Sequence, residues 1–298
     1  MAADTDQDRA DLPRPPGPVT RVRAVRYDGA PAAPDPVPAP AGIVREEHLA
    51  TEEPLEIRLG DRRLAVTMRT PGSDFELAVG WLYAEGVVAA GQDVRSVRYC
   101  TDVALDPDQR FNVVTVDLAD PLAATSLAAR SFVVSSACGV CGRETVDDLR
   151  ARGYLPAPPG LPIQAATLAG LPQRLRDRQS VFDRTGGLHA AGLYNLQSGE
   201  EMVVREDVGR HNAVDKVVGW ALMADLLPLS GAGLVVSGRT SFELCQKAVA
   251  AGVTALVSVS APSSLAVSLA TTFGLTLAGF ARDGRVTVYA GHERLAAR

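Results

Sequence analysis

The second half of the chain alternates apolar runs with amphipathic stretches, and this order predicts strands and helices in turn. Each apolar run is rich in Val, Leu and Ala, and a short loop of Gly, Ser, Thr or Pro precedes the next helical pattern. The predicted elements are strands at 234–237, 255–260, 275–280 and 286–290, and helices at 211–227, 242–251 and 265–273. Such an alternation implies an α/β fold with a mixed sheet and helices on its faces.

The first half carries mainly strand patterns. A hairpin is predicted from 52 to 68 with its turn at Gly60 and Asp61, followed by strands at 94–99, 111–118 and 132–135. Ser73 and Glu76 have the spacing of a capping box, which predicts a helix over 75–85 that Gly86 ends. This half is therefore expected to form a smaller, β-rich N-terminal part.

Proline-rich segments suggest the domain boundaries. Residues 1–40 are dominated by Asp, Arg, Ala and Pro without a hydrophobic period, which predicts a disordered tail. A proline cluster at 156–162 predicts a stiff linker. We expect a β-rich part over 41–155, ending in a cysteine-containing loop, and an α/β cofactor-binding domain over 163–298. Ligands of such sheets bind at the carboxyl ends of the strands.

Composition narrows the class of protein. Of the 298 residues, 46% are hydrophobic and the net charge is −5, as in soluble globular proteins. A mildly acidic balance argues against a nucleic-acid-binding surface. No apolar run is long enough to span a bilayer, and the acidic, proline-rich N-terminus lacks the apolar segment of a signal peptide. We expect a cytoplasmic protein that binds neither nucleic acid nor membrane.

Two cysteines three residues apart are the most reactive feature of the sequence. Cys138 and Cys141 lie between an apolar run at 132–135 and a predicted short helix at 143–150. A helix N-terminus and the nearby Arg143 guanidinium favour thiolate over thiol. One of the two sulfur atoms is therefore expected to be a nucleophile at neutral pH.

The CxxC spacing alone leaves three interpretations open: a redox dithiol, half of a zinc site, or a sulfur-carrying nucleophile with a neighbouring thiol. A structural zinc site needs four ligands, and the other cysteines and histidines form no second spaced pair. A thioredoxin-type pair usually has an aromatic residue or a proline beside it, which Gly139 and Val140 do not supply. Cys100 and Cys245 are most simply buried small hydrophobic residues.

Polar loops at the ends of the predicted strands contain candidate binding residues. The segment from Gly238 to Ser241 combines small residues, the Arg239 guanidinium and two hydroxyls at a helix N-terminus, which suits a phosphate-bearing ligand. The same residue types also serve as caps and turns. His189 lies in a glycine-rich loop at 185–192, although a lone histidine is more often structural.

A polar segment at 207–216 opens the predicted helix and contains Arg210. In a helix that begins at His211, that residue and Asp215 share one face. A solvated helix start with salt bridges is the alternative interpretation.

Seven separate blocks of the chain, in order, resemble one known family. They are Glu53-Pro54-Leu55, Met68-Arg69-Thr70-Pro71-Gly72, Cys138-Gly139-Val140-Cys141-Gly142, Thr185-Gly186-Gly187-Leu188-His189, Glu206-Asp207-Val208-Gly209-Arg210-His211-Asn212, Ser237-Gly238-Arg239 and Ser260-Ala261-Pro262-Ser263-Ser264. From about residue 50 onward, the chain resembles the formate dehydrogenase accessory sulfurtransferases of the FdhD family. One block could arise by chance, whereas seven in the same order indicate a family.

This resemblance implies a sulfurtransferase in a sulfur relay for a molybdenum or tungsten cofactor. A cysteine desulfurase would pass sulfane sulfur to a cysteine, and the resulting persulfide would sulfurate Mo-bis(molybdopterin guanine dinucleotide). The cofactor would then enter the catalytic subunit of formate dehydrogenase. In the family the first cysteine of the pair carries the persulfide, which corresponds to Cys138. Cys141 would assist transfer, or would resolve the persulfide by forming a disulfide.

The resemblance also implies where the guanine nucleotide ends of the cofactor bind. The family's cofactor contact corresponds to Phe280, Ala281, Arg282, Asp283, Gly284 and Arg285. Phe280 could stack on a base, and Arg282 and Arg285 could bind phosphates, although solvated arginines on a hairpin turn are the alternative. On residue chemistry alone, the further candidate contacts are His189, Arg210 and Arg239.

The family's fold resembles that of cytidine deaminases, and a homodimer is implied as well. Zinc deaminases need a glutamate two residues after the first ligand and a proline before the cysteine pair. Here Ala191 and Ala137 occupy those positions, and His189 follows the cysteine pair instead of preceding it. We therefore expect no deaminase activity and no metal site.

Two other functions remain possible alternatives from the sequence. One is a non-catalytic chaperone that holds and delivers the molybdenum cofactor. The other is a thiol-disulfide oxidoreductase that uses the CxxC pair. Replacing each cysteine separately distinguishes these functions from sulfur transfer.

Overall fold

The N-terminal region begins with a two-stranded ribbon. The computed structural model describes residues 15–27, 42–100, 111–120 and 162–296. Within these, β1 (Val19–Arg26) pairs antiparallel with β2 (Ile43–Ala50). The expectation of a disordered tail over 1–40 is therefore wrong for residues 19–26. Their valines favour extended backbone, a pattern that the proline-rich composition of the whole segment concealed.

A four-stranded sheet follows, as the β-rich pattern predicted. It consists of β3 (Glu53–Leu59), β4 (Arg62–Arg69), β5 (Val94–Tyr99) and β6 (Val113–Leu118), in the spatial order β4-β3-β6-β5. The hairpin between β3 and β4 turns at Gly60, whose φ of 56° suits a glycine.

Helix α1 (Asp74–Ala84) lies between β4 and β5 and ends before Gly86, which adopts a left-handed conformation as predicted. The predicted capping box is wrong. Ser73 occupies the N-cap position, but its side chain makes no capping hydrogen bond, and its own φ is 56°. The Glu76 carboxylate instead accepts two hydrogen bonds from Arg205.

The second half forms a six-stranded mixed sheet. Its strands are β7 (His189–Asn195), β8 (Glu201–Asp207), β9 (Ala232–Val236), β10 (Ala255–Ser258), β11 (Thr276–Arg282) and β12 (Arg285–Ala290), in the spatial order β12-β11-β10-β9-β7-β8. Strands β9, β10 and β11 are parallel, whereas β7, β8 and β12 each pair antiparallel with a neighbour. The loop expected over 185–192 is wrong from His189 onward, because its small residues belong to β7.

Helices cover both faces of this sheet, as the alternation predicted. They are α2 (Ala165–Arg176), α3 (Ser180–Thr185), α4 (Arg210–Met223), α5 (Phe242–Ala250) and α6 (Ser264–Thr272). Leu234 and Val236 of β9 pack in one apolar cluster with α4, α5 and α6, whereas Val235 packs in another with α2. Alternate residues of one strand thus face opposite helical layers.

Helices α1 and α4 join the two parts of the chain at very short range. A Cβ atom added at Gly80 would lie 1.9 Å from Asp215 O, and one added at Gly219 would lie 1.8 Å from Glu76 O. Only glycine permits this approach, because any larger residue would push the backbones apart.

A buried polar network makes a second connection between the parts. The Asp207 carboxylate accepts hydrogen bonds from Thr70 N at 3.1 Å and from Asn212 Nδ2 at 3.0 Å. Lys216 Nζ lies 2.7 Å from Asp207 Oδ2. Asn212 Nδ2 also donates to Met68 O at 2.7 Å. Two of the blocks that carry the family resemblance, at 68–72 and 206–212, therefore bond to each other.

Candidate cofactor-binding site

The residues expected to bind the cofactor converge on one edge of the six-stranded sheet. Strands β9, β10 and β11 end there, and β7 begins there because it is antiparallel to β9. His189 is the first residue of β7, Arg239 follows β9, and Arg282 ends β11. Arg210 follows β8, which is antiparallel to β7 and also ends at this edge. Residues far apart in the sequence are thus neighbours along one edge.

Three of the described helices, α4, α5 and α6, begin at the same edge, and only α6 has an N-cap side chain that accepts a hydrogen bond. Helix α6 is capped, because Ser263 Oγ accepts a hydrogen bond from Ala266 N at 3.2 Å. The N-cap residues of α4 and α5, Gly209 and Ser241, make no side-chain capping bond. Backbone N–H groups in the first turn of α4 are therefore available to an anionic ligand, whereas the Glu243 carboxylate bonds to its own backbone N–H at the start of α5.

Arginines at this edge lack the carboxylate partners that other arginines have. Arg69 binds Asp74 in the interior, and Arg205 binds Glu76. Within residues 15–27, 42–100, 111–120 and 162–296, no carboxylate lies within 4 Å of the guanidinium groups of Arg210, Arg239 or Arg282. The Nε atom of Arg210 is buried without a hydrogen bond in that part of the chain. Unneutralised guanidinium groups near the uncapped N-terminus of α4 favour a phosphate-bearing ligand.

A cavity of about 810 Å³ lies beside this edge, between the sheet and helices α2 and α3. Its volume falls in the range of pockets that hold small molecules and cofactors. Of the expected contact residues, the cavity is lined by His189, Ala281, Arg282, Asp283 and Gly284. The remaining four are not among its lining residues: Phe280, Arg285, Arg210 and Arg239. Phe280, at φ 48°, has 43% of its surface exposed.

His189 lines this cavity, and its surroundings disfavour the charged imidazolium form. Burial lowers the pKa of His189 below its ordinary value, and the positive charge of Arg210 lowers it further. Gly238 lies beside the ring, since a Cβ atom there would be 3.5 Å from His189 Nδ1. A neutral imidazole can donate one hydrogen bond to a ligand and accept another.

His211 and Asp215 line a smaller cavity of about 200 Å³, between α4, α5, α1 and β4. They share a helix face as predicted, but each has a different partner. His211 Nε2 lies 3.5 Å from Glu243 Oε2 and 3.4 Å from Ser241 Oγ, while Asp215 Oδ1 accepts from Lys247 Nζ at 2.6 Å. Both contacts of His211 use the same nitrogen, so the group is not a serine–histidine–carboxylate relay.

Sequence reasoning missed one residue that lines the larger cavity and a second that caps the helix beside it. Gln179 lines the 810 Å³ cavity and is 3% exposed. Glu206 lies at the end of β8, and its carboxylate accepts hydrogen bonds from Val181 N and Phe182 N. A glutamine in a short polar stretch has no sequence signal of its own. Its proximity to the resemblance block at 185–189 was the one available indication.

The cysteine pair lies outside the described residues, so Cys138 and Cys141 have no place in this geometry. The expected strand at 132–135 and residues 156–161 of the expected linker also lie outside them. Among the residues that the structure does describe, no group of three or more histidine, cysteine, aspartate or glutamate side chains could hold a metal ion. In the same part of the chain, no helix is both long and apolar enough to span a membrane.

Comparison with known proteins gives a consistent result. The model of the FdhD/NarQ family matches residues 50–296. A sulfur carrier protein FdhD from Mycolicibacterium paratuberculosis is 51% identical over 255 residues, covering 85% of this chain and 93% of that protein. The protein of the same name from Mycobacterium tuberculosis is 48% identical over 258 residues, covering 85% and 93%.

A solved structure shares the fold. A crystal structure described as a formate dehydrogenase accessory protein from Desulfotalea psychrophila superimposes with a TM-score of 0.71. The match covers 93% of this chain and 99% of that one, at 23% sequence identity. This likeness supports the mixed α/β architecture, while the expected cytidine-deaminase-like core stays a prediction.

Proposed function

Since this chain belongs to the FdhD/NarQ family, we propose that it is a sulfur carrier that serves a formate dehydrogenase. The relatives at about half identity are named sulfur carrier proteins, and they match most of its length. We propose that the sulfur travels as a persulfide on Cys138. Its acceptor is Mo-bis(molybdopterin guanine dinucleotide), which the protein binds as a substrate.

Loading of the carrier is a thiolate attack on a persulfide. The Cys138 thiolate attacks the terminal sulfur atom of a cysteine desulfurase persulfide. The sulfur–sulfur bond of the desulfurase breaks, its own cysteine leaves as a thiolate, and a new sulfur–sulfur bond forms on Cys138. No net oxidation or reduction occurs, because one persulfide replaces another.

Release of the sulfur uses the second thiol. The Cys141 thiolate attacks the Sγ atom of Cys138, and the terminal sulfur leaves as hydrosulfide, which the cofactor takes up. The two cysteines are oxidised to a disulfide, and the transferred sulfur is reduced. A dithiol reductant must then restore both thiols before the next turnover.

One observation carries the cofactor-binding half of this proposal: three guanidinium groups without carboxylate partners in the described residues gather at one sheet edge. Arg282 lines the 810 Å³ cavity, Arg210 is the first residue of helix α4, and Arg239 precedes helix α5. The guanosine diphosphate halves of the cofactor carry the phosphates that such groups bind bidentately. The proposed partners are a cysteine desulfurase and the formate dehydrogenase catalytic subunit, and the homodimer stays a prediction.

Complementation tests this function against the two alternatives. A bacterial host that lacks its own sulfur carrier is supplied with the wild-type chain, Cys138→Ala or Cys141→Ala, and formate dehydrogenase activity is measured. We expect wild type to restore activity and Cys138→Ala to restore less than about 5% of it. Full activity with Cys138→Ala would favour a chaperone. Loss with both variants, but without a persulfide on Cys138, would favour an oxidoreductase.

A further inference from the structure

Thr70 connects the N-terminal part of the chain to the start of helix α4 by three hydrogen bonds. The residue is 2% exposed and lies between β4 and α1. Its backbone N–H donates to Asp207 Oδ2 at 3.1 Å, and its carbonyl oxygen accepts from Lys216 Nζ at 2.8 Å. Its hydroxyl oxygen Oγ1 accepts from Val208 N at 3.2 Å. One buried residue of the N-terminal part thus bonds to three residues in and just before α4.

The hydroxyl of Thr70 holds the turn that leads to Arg210. Gly209, the residue after the one that the hydroxyl binds, donates its backbone N–H to Asp207 Oδ1 at 2.8 Å. Two buried side chains, those of Thr70 and Asp207, therefore hold two successive backbone N–H groups. Arg210 comes next and is the first residue of α4. The direction in which α4 begins therefore depends on these two side-chain acceptors.

Arg210 has a donor that an anionic ligand can use. Its Nε atom is buried and makes no hydrogen bond to the residues that the structure describes. A buried donor without a partner is costly, and a phosphate oxygen would satisfy it. Bidentate binding of a phosphate requires two N–H groups of the guanidinium to point at the ligand together. A small change in the direction of α4 is therefore expected to change the affinity.

We propose that Thr70 is a positioning residue for phosphate binding at the start of α4. Its hydroxyl holds Val208 N and so fixes the turn, which keeps the Arg210 guanidinium and the free N–H groups of the first turn directed at one phosphate group. Thr70 acts through this turn and does not touch the ligand. The N-terminal part thereby controls the affinity of a site in the α/β part. The inference rests on the proposed function, because the cofactor supplies the phosphates.

Calorimetric titration of the full chain with GDP tests the inference. Thr70→Val removes the hydroxyl, keeps the branched shape of the side chain and leaves both backbone hydrogen bonds of Thr70 in place. Thr70→Ala is a second variant without the hydroxyl, and Thr70→Ser restores it. Thr254→Val is the matched control, because Thr254 is 4% exposed and its Oγ1 accepts from Gly231 N at 2.9 Å. That bond lies at the opposite edge of the sheet, where β9 and β10 begin.

We expect Thr70→Val and Thr70→Ala each to weaken GDP binding by about three- to tenfold, the fold-change that corresponds to one lost hydrogen bond. Thr70→Ser should bind GDP like wild type. Thr254→Val should also melt at a lower temperature, because it leaves a buried N–H group unpaired, but it should keep its GDP affinity. The fold losses of Thr70→Val and Arg210→Gln should not multiply in the double variant, since both act on the same contact.

Failure of this inference and failure of the proposed function would give different results. If wild type binds GDP and Thr70→Val binds it equally well, positioning by Thr70 is wrong and the proposed function stands, even where the variant melts at a lower temperature. Weak binding by Thr70→Ser, or fold losses that multiply in the double variant with Arg210→Gln, would overturn the inference as well. If wild type does not bind GDP, the inference and the cofactor-binding half of the proposed function both fail.

Discussion

Lys216 Nζ lies 2.7 Å from Asp207 Oδ2, in a pair that is almost completely buried. The ammonium also donates to Thr70 O at 2.8 Å, so it holds the N-terminal part against the α/β part. Its removal would leave a buried carboxylate without its charge partner. We expect Lys216→Met to lower the free energy of unfolding by about 3–5 kcal/mol, measured by urea denaturation at neutral pH.

Arg178→Met is the control for this prediction. Arg178 Nε lies 2.9 Å from Glu201 Oε2, but its side chain is 62% exposed. Because water screens an exposed ion pair, Arg178→Met should lower the free energy of unfolding by less than about 1 kcal/mol. If Lys216→Met and Arg178→Met lowered the free energy of unfolding equally, burial of the Lys216 pair would not make it more important for stability.

Because helices α1 and α4 approach each other so closely, we expect one methyl group added between them to destabilise the fold strongly. A Cβ atom at Gly219 would lie 1.8 Å from Glu76 O, and the helix backbones would have to separate. Gly219→Ala should therefore lower the free energy of unfolding by about 3 kcal/mol or more. Gly170→Ala is the matched control, because Gly170 lies within α2 and a Cβ atom there meets nothing within 4 Å.

Thermal and urea denaturation of both alanine variants would check this contact. Gly170→Ala should stabilise the protein by up to about 1 kcal/mol, since alanine loses less backbone entropy in a helix. If Gly219→Ala were as harmless as Gly170→Ala, the close approach of the two helices would be disproved.

The lowered pKa of Glu243 predicts how the stability of the protein changes with pH. The hydrogen bond from His211 is the main cause that lowers the pKa of Glu243 to about 2, from an ordinary value of 4.5. A pKa that is lower in the folded state adds stability above pH 4.5, and that stability is lost as pH falls towards 2. The difference in unfolding free energy between wild type and Glu243→Gln should therefore be fully present above pH 4.5 and shrink as pH falls towards 2.

Unfolding titrations of both proteins across this pH range would measure that difference. Glu47→Gln, on the exposed face of the ribbon, serves as the control and should match wild type throughout. A difference for Glu243→Gln that stays constant from pH 5.5 to about 2.5 would contradict the dependence on His211.

Arginines of the sheet edge should matter for nucleotide binding but not for sulfur loading. A charged hydrogen bond contributes about 1.5–3 kcal/mol, so Arg239→Gln and Arg282→Gln should each weaken GDP binding by about tenfold or more. Loading of Cys138 by a desulfurase should be unchanged. Arg45→Gln on β2 is the control, and it should bind GDP like wild type. Unchanged GDP affinity in Arg239→Gln and Arg282→Gln would exclude these arginines as phosphate ligands.

Strong local patterns of apolar residues made much of the fold predictable from the sequence. The runs that became β9, β10 and β11 are continuous stretches of apolar residues, and glycine or serine loops mark their ends. Strands β7 and β8 were missed because small residues follow His189 at the start of β7 and β8 carries four charged side chains in seven positions. Tertiary pairing, not local pattern, makes them strands.

The candidate site was also predictable from the sequence only in part. Arg210 and Arg239 could be selected from the sequence, because phosphate chemistry points to arginines near helix starts, whereas Arg282 came from the family resemblance. Gln179 could not, because its place in the cavity wall results from tertiary packing. Asp207 and Lys216 belong to a conspicuous polar segment, yet they are buried and hold the fold together.

Sulfur loading on Cys138 is the central claim, and mass spectrometry tests it most directly. The reduced protein is incubated with a cysteine desulfurase and L-cysteine, then intact protein and peptides are mapped. We predict an added mass of about 32 Da, one sulfur atom, on the Cys138 peptide, which persists in Cys141→Ala and disappears in Cys138→Ala. An unmodified Cys138 peptide, with a Cys138–Cys141 disulfide or bound zinc found instead, would contradict the account.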